Sequence, residues 1–245
     1  MKAKPILRYA VLTAGLCLLT RAAWTAEVES GFKSLFNGKN LAGWAGRSNH
    51  WSAQDGAITG ITTSDDPAQG NNFLIARDGD KNLVVDDFEL RLSFKFTGDW
   101  GNSGIQYRSQ DVGDFIVQGY QADLEAGTNY TGILYEERGR GILALRGQKV
   151  VLRANPDSPM KPKVEVTGSV GDSKGVQASI KPGDWNDYVI IAKGNHLQHF
   201  VNGRQTVDVT DEQTSLAAKS GILALQIHQG PPMKVQFKNI RLKKL

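Results

Sequence analysis

The sequence predicts an all-β protein, a two-sheet antiparallel sandwich of the jelly-roll type. Three observations carry that prediction. Residues 88–96 alternate without error: Phe88, Leu90, Leu92, Phe94 and Phe96 share one face, and Glu89, Arg91, Ser93 and Lys95 the other, the pattern of a strand with one dry and one wet side. Shorter runs of the same kind recur at 57–61, 73–76, 103–108, 115–124, 187–192, 196–201, 205–209, 221–228 and 233–242, punctuated by Gly, Asn and Asp. No stretch of ten residues or more carries a helical stripe. Many short strands with little helix bury their apolar faces by packing sheet on sheet.

Residues 1–26 read as a secretory signal. Lys2, Lys4 and Arg8 form a basic start, Ala10–Leu19 is an uncharged apolar run too short to span a bilayer comfortably, and Ala22, Ala23 and Ala26 supply small residues. The expected location is secreted or periplasmic, with no membrane span. Removing Lys2, Lys4, Arg8 and Arg21 leaves 25 basic residues, matching the 25 acidic ones. The remainder is formally neutral, which points away from nucleic acid or anionic membrane as partner. The single cysteine, Cys17, lies in the leader, so residues 27–245 hold neither disulfide nor thiol nucleophile. That length suffices for one domain with its own core.

Along the chain, Gly194-Asn195 and Asn202-Gly203 mark hairpin turns, because Gly and Asn take positive φ at little cost. Residues 211–219 and 29–35 are the candidate short helices. Residues 154–182 hold four prolines and three glycines among many polar side chains. They read as a surface insertion carrying one strand at Lys163–Thr167, with the rhythm of strands resuming afterwards.

Polar groups crowd into residues 102–141. Period two puts Gln106 and Arg108 on one side of 103–108, Gly119, Gln121 and Asp123 on one side of 115–124, and Gln226 and His228 on the outer side of 221–228. If these strands are neighbours, Gln106, Arg108, Asp123, Gln226 and His228 line one concave face. His228 ends an apolar strand before a Gly-Pro-Pro turn, a suitable place for a general base or a metal ligand. Plainer readings stand beside these. Asp123 with Arg108 reads equally as a structural ion pair, and Glu136, Glu137, Arg138 and Arg140 as a solvated charged loop. Of Trp44, Trp51 and Trp100, which could stack on sugars, at least two are expected to pack. Phosphate-loop, dinucleotide, His-Glu-x-x-His and Gly-x-Ser-x-Gly patterns are missing, as is the Glu-x-Asp-x-x-Glu strand of jelly-roll glucanases.

Leu35-Phe36-Asn37-Gly38-Lys39-Asn40-Leu41-Ala42-Gly43-Trp44, Gly101–Arg108, Gly119-Tyr120-Gln121-Ala122-Asp123, Leu134–Gly141, Gly183-Asp184-Trp185-Asn186, Asn202-Gly203 and Leu225-Gln226-Ile227-His228 with Met233 occur in that order. Together they resemble the 3-keto-disaccharide hydrolase domain family, long called domain of unknown function 1080, over about residues 30–245. The resemblance implies a fold like the concanavalin A-type lectins and glucanases, and action on 3-keto-glycosides. A ketone acidifies the neighbouring C–H, so a base can remove that proton and the glycosidic oxygen leaves by elimination, followed by hydration. On this reading His228 or Asp123 is the base, Arg108 stabilises the enolate and Glu136 is the acid. Trp100, Asn102, Gln106, Tyr120, Arg138 and Gln226 would bind the sugar. No cofactor is implied with certainty. A divalent metal on His228, Asp123 or Glu136 is left open, without ligand spacing to support it. The rival readings are a non-catalytic carbohydrate-binding module and an adhesion domain of the laminin-G type.

Overall fold

A computed structural model describes residues 29–245, so the signal-like leader lies outside the described residues. Two sheets face each other. The first runs from edge to edge as β14 (Lys163–Ser169), β13 (Gln148–Arg153), β17 (Arg204–Asp211), β16 (His196–Val201), β15 (Asn186–Lys193), β8 (Phe88–Thr97), β19 (Met233–Lys244), β4 (Ala57–Thr62) and β3 (Trp51–Gln54), with β1 (Lys33–Ser34) against β19. The second runs β12 (Gly141–Ala144), β11 (Leu134–Glu137), β10 (Ile116–Glu125), β9 (Asn102–Gly113), β18 (Gly221–Ile227), β5 (Asn72–Asp78) and β2 (Trp44–Ala45), with β6 (Lys81–Asn82) on β5 and β7 (Val84–Val85) on β18. This is the all-β sandwich that the alternation predicts.

The core lies between the sheets. All five apolar residues of the 88–96 stripe are buried, as are Leu223, Leu225 and Ile227 of β18 and Val207 and Val209 of β17. Each such side chain contributes about 1.5–3 kcal/mol by leaving water. An aromatic seam ties the sheets together: Phe88 of β8 meets Tyr107 of β9 edge-on at 5.9 Å, and His199 of β16 sits between Tyr107 and Tyr188. The His199 ring nitrogens lie 2.9 Å and 3.2 Å from those two hydroxyls. Burial drives its pKa down to about 3, so it packs as a neutral ring.

Two details differ from the sequence reading. The pairing is antiparallel except for β13 against β17, which run parallel. The chain leaves β12 in the second sheet, turns at 145–147 and enters the first sheet as β13, so its direction is set by that crossing and not by a hairpin. The second difference concerns helix. Neither 211–219 nor 29–35 is helical: Asp211 stays in β17, tied to Arg140 and Tyr120, and 213–217 makes only a single turn. The α-helix found among the described residues is α1 (Ser173–Ser179), inside the 154–182 segment. Asp172 caps it by accepting the amides of Lys174 and Gly175 at 3.1 and 2.9 Å. Val176 is its buried residue, too little apolar surface to leave a periodic signal. No helix among the described residues is long and apolar enough to cross a membrane.

Candidate active site

The β9–β10 hairpin has the distant β18 beside it, so the polar positions of the three strands do share one sheet face. β11 adds itself beyond β10, with Gly119 opposite Glu137 and Gln121 opposite Tyr135. That register puts Tyr135 and Glu137 on the same face as Gln121 and Asp123, where all four line one pocket. Leu134 and Glu136 point the other way, into the sandwich. A pocket of about 240 Å³ opens there, lined by Asn71, Asn102, Gln121, Asp123, Tyr130, Ile133, Tyr135, Glu137, Ile142 and His228.

Asp123 ends a buried relay. Ser109 Oγ donates to Gln106 Oε1 at 2.9 Å, Gln106 Nε2 donates to Gln121 Oε1 at 2.5 Å, and Gln121 Nε2 donates to Asp123 Oδ1. Gly104 makes room for it: a Cβ there would stand 2.3 Å from Gln121 Cδ. Burial raises the Asp123 pKa to about 7; the Gln121 bond opposes this, and the charges of Glu137 and Glu125 add to it. Glu137 is gripped at both oxygens. Asn71 Nδ2 donates to Oε1 at 3.1 Å and Gln226 Nε2 to Oε2 at 3.2 Å. Gln226 Oε1 is buried without a hydrogen-bond partner. Tyr135 has its pKa raised by burial and then by Glu137 and Asp123. At the rim, His228 Nδ1 lies 2.5 Å from the Gln229 carbonyl. A carbonyl only accepts, so Nδ1 carries the proton and, in the neutral ring, Nε2 is left as an acceptor.

The four side chains expected to act together do not converge. Asp123 and His228 line the pocket, with Asn102; Arg108 and Glu136 do not. Arg108, at φ +46, turns out of the alternation. Its buried guanidinium donates to the carbonyls of Asp86 at 2.7 Å and Gly194 at 2.6 Å and pairs with Asp87 at 2.8 Å. It therefore staples the 86–87 and 194 turns, and its ion partner is Asp87 and not Asp123. Gly221 permits this bulge, since a Cβ there would lie 2.4 Å from the Arg108 backbone. Glu136 lies inside the sandwich. Arg140 binds both its oxygens at 2.8 Å and also Asp211 Oδ2 at 2.7 Å, and Tyr120 donates to the same Asp211 oxygen at 2.5 Å. Burial works against the Arg140 charge, but its bonds to Glu136 and Asp211 win and hold its pKa above the usual arginine value.

Of the expected sugar-binding residues, Tyr120 thus belongs to the interior. Arg138 is exposed at the tip of the turn after β11. Trp100 packs on the core and closely against Gly230, where a Cβ would stand 2.6 Å from its ring. Gln106 and Gln226 lie beneath the pocket, steadying Gln121 and Glu137. Trp44 and Trp51 are core residues. Sequence reasoning passed over Glu137, Gln121, Asn71 and Tyr135 as site residues. The signal for Glu137 was the parity of β11 against β10, which depends on the connection over 126–133. Among the described residues, no group of three or more His, Cys, Asp and Glu side chains is placed to hold a metal.

The fold has solved counterparts. A presumed glycosyl hydrolase from Parabacteroides distasonis ATCC 8503 superposes with a TM-score of 0.56 at 20% identity, covering 88% of this chain and 94% of that one. The carbohydrate-binding module CBM66 from Bacillus subtilis gives 0.51 at 13%, covering 82% and 96%. A Bacillus subtilis protein of unknown function with a galectin-like fold gives 0.50 at 10%, covering 83% and 90%. At such identities the likeness is one of fold. No curated protein matches this sequence. The model of the 3-keto-alpha-glucoside-1,2-lyase-like domain matches residues 31–243, nearly everything described above, and the chain belongs to that family.

Proposed function

We propose that the protein cleaves 3-keto-glycosides by elimination followed by hydration, on the secreted or periplasmic side of the cell. The observation that carries this reading is Asp123: a carboxylate in the pocket with a pKa near 7, raised by burial and by Glu137. Its ionised form is a stronger base than an ordinary carboxylate and is well populated at neutral pH. Asp123 takes the proton from the carbon next to the ketone, and the C–H electrons pass into the enolate. Asn102 and Tyr135, both lining the pocket, offer neutral hydrogen-bond donors to that oxygen. The enolate collapses, a C=C bond forms toward the anomeric carbon and the glycosidic C–O bond breaks. His228 in its doubly protonated form, with Nδ1–H held by the Gln229 carbonyl, gives the departing oxygen its Nε2 proton. Water then adds across the double bond: its hydroxyl goes to the anomeric carbon, the proton held by Asp123 returns to the carbon next to the ketone, and the remaining water proton restores His228. The pocket lies just below the range of about 300–1,000 Å³ of small-molecule sites, so it suits one ring, with the rest of the glycan outside.

A second reading is favoured by one observation: Asp123 and Glu137 are two carboxylates in one pocket, the pairing of ordinary glycosidases. Incubation with a 3-keto-disaccharide and with its unoxidised parent, in deuterated water, separates the two. Elimination predicts release from the oxidised sugar alone, with deuterium incorporated next to the ketone. Release from the unoxidised parent supports two-carboxylate hydrolysis. Sugar binding without release from either defeats both and leaves a binding module.

A further inference from the structure

A second cavity of about 490 Å³ adjoins the first, and Asn71 lines both. Its other lining residues are polar almost throughout, among them Arg47, Asn49, His50, Asp65, Asp66 and Gln69. The most specific of these is His50, which is 6% exposed. Its tautomer follows from its neighbours. Trp51 Nε1 can only donate, and it donates to Asn72 Oδ1 at 3.2 Å. That fixes the Asn72 amide, so Asn72 Nδ2 donates to His50 Nδ1 at 3.3 Å. With Nδ1 accepting, the ring proton sits on Nε2.

Nε2 makes no hydrogen bond. The Asp66 carboxylate covers it, with Oδ1 3.4 Å away. Asp66 is half exposed, and Asn49 Nδ2 donates to its oxygens at 3.0 and 3.1 Å. A rotation of this surface side chain uncovers a buried N–H donor whose bond is unmade, a costly condition that a ligand oxygen relieves. The cavity then offers one fixed donor and the carboxylates of Asp65 and Asp66 as acceptors. Neutral hydroxyl-bearing rings carry that mixture of acceptors and donors.

We propose that this cavity is a second sugar subsite, which holds the leaving half of the glycoside while the oxidised ring occupies the pocket at Asp123. The assignment of the leaving half rests on the function proposed above; the binding of a neutral sugar ring does not. Asn71 joins the two, since it grips Glu137 on one side and walls the second cavity on the other.

Two measurements test this. The first is NMR of the full-length protein with long-range proton–nitrogen spectra of the His50 ring, titrated with an unoxidised glucose disaccharide. The free ring is expected to show the Nε2–H tautomer, and its signals and those of the Trp51 indole to shift with sugar. Asp65→Ala, an exposed change that removes one acceptor without touching the Asp66 cover of Nε2, weakens the response about five- to tenfold, the equivalent of one hydrogen bond. No shift at saturating sugar overturns the subsite. The second compares a 3-keto-disaccharide with the methyl 3-keto-glucoside, which has no second ring. The ratio of their kcat/KM values is expected to fall about five- to tenfold in Asp65→Ala. An unchanged ratio overturns the leaving-half assignment. If the wild type turns over neither substrate while His50 still responds to sugar, the catalytic reading fails and the sugar subsite stands.

Discussion

Glu136 and Glu137 are consecutive residues of β11, yet they lead into two networks of opposite character. Glu136 faces the sandwich interior, where Arg140 supplies a cation to it and to Asp211 and Tyr120 closes the cluster. Glu137 faces the pocket, where only the neutral amides of Asn71 and Gln226 reach it and a second carboxylate, Asp123, stands nearby. The difference teaches which buried carboxylates hold a fold together and which are free to react. A cation held in fixed geometry neutralises and immobilises its partner. Where no cation reaches, burial first and the charges of Glu137 and Glu125 after it raise the proton affinity of Asp123, and that leaves a group able to take and return protons near neutrality.

The sharpest attempt to break this contrast is Asp123→Asn. The amide can still accept from Gln121 and carries no charge. Turnover of a 3-keto-glycoside is expected to fall about 10²–10⁴-fold, measured by sugar release, with the fold intact by circular dichroism. On the interior side, Arg140→Leu leaves Glu136 and Asp211 buried without their cation. A loss of about 3–5 kcal/mol is expected in urea unfolding. If the first variant unfolds, or the second loses no stability, the division of labour is misassigned.

The pH dependence sharpens the same contrast. Asp123 has a folded pKa of about 7 against an ordinary value of 3.8. Between about pH 4 and 7 the native state therefore binds a proton that the unfolded chain has lost, and its contribution to stability falls as pH rises through that window. Buried, neutral His199 contributes the opposite slope between its folded value of about 3 and its ordinary 6.5. Subtracting the Asp123→Asn unfolding curve from that of the wild type isolates Asp123, and Asp123→Asn is expected to be the more stable protein above pH 7. The rising limb of the pH–rate profile is expected near pH 7, as the base form of Asp123 grows.

Tyr120→Phe removes a hydrogen bond to a charged group in the interior cluster, and about 1.5–3 kcal/mol of stability should go with it. Glu137→Gln is the subtlest test. Removing the like charge lowers the pKa of Asp123, so the rising limb of the pH–rate profile moves to lower pH. A limb that stays in place would show that the two carboxylates do not sense each other.

Much of the fold was legible in the chain. The stripe at 88–96 became β8 and the run at 221–228 became β18, because alternation with one buried face is a local property that burial enforces. On its outer face β18 covers a second small cluster, in which Ile222 and Ala224 meet Phe73, Ile75 and Val117. The face carrying Gln106, Gln121, Asp123 and Gln226 was legible as well, since parity within one strand is fixed. The parity of one strand against another was not. Glu136 was expected in the site in place of Glu137, because only the 126–133 connection sets the register, and a one-residue change there exchanges the two. Arg108 was misread for a related reason. Its positive φ at a bulge takes it out of the alternation, and only the close approach of Gly221 reveals that bulge.

By itself, then, the sequence determined the elements that depend on neighbours along the chain: the strands, their faces and the turns at 194–195 and 202–203. The tertiary structure alone decided which carboxylate met a cation, which histidine nitrogen kept its proton and which side chains share a cavity. Those depend on contacts between residues far apart in the chain, where a shift of one position in register reverses the chemistry of every side chain on a strand.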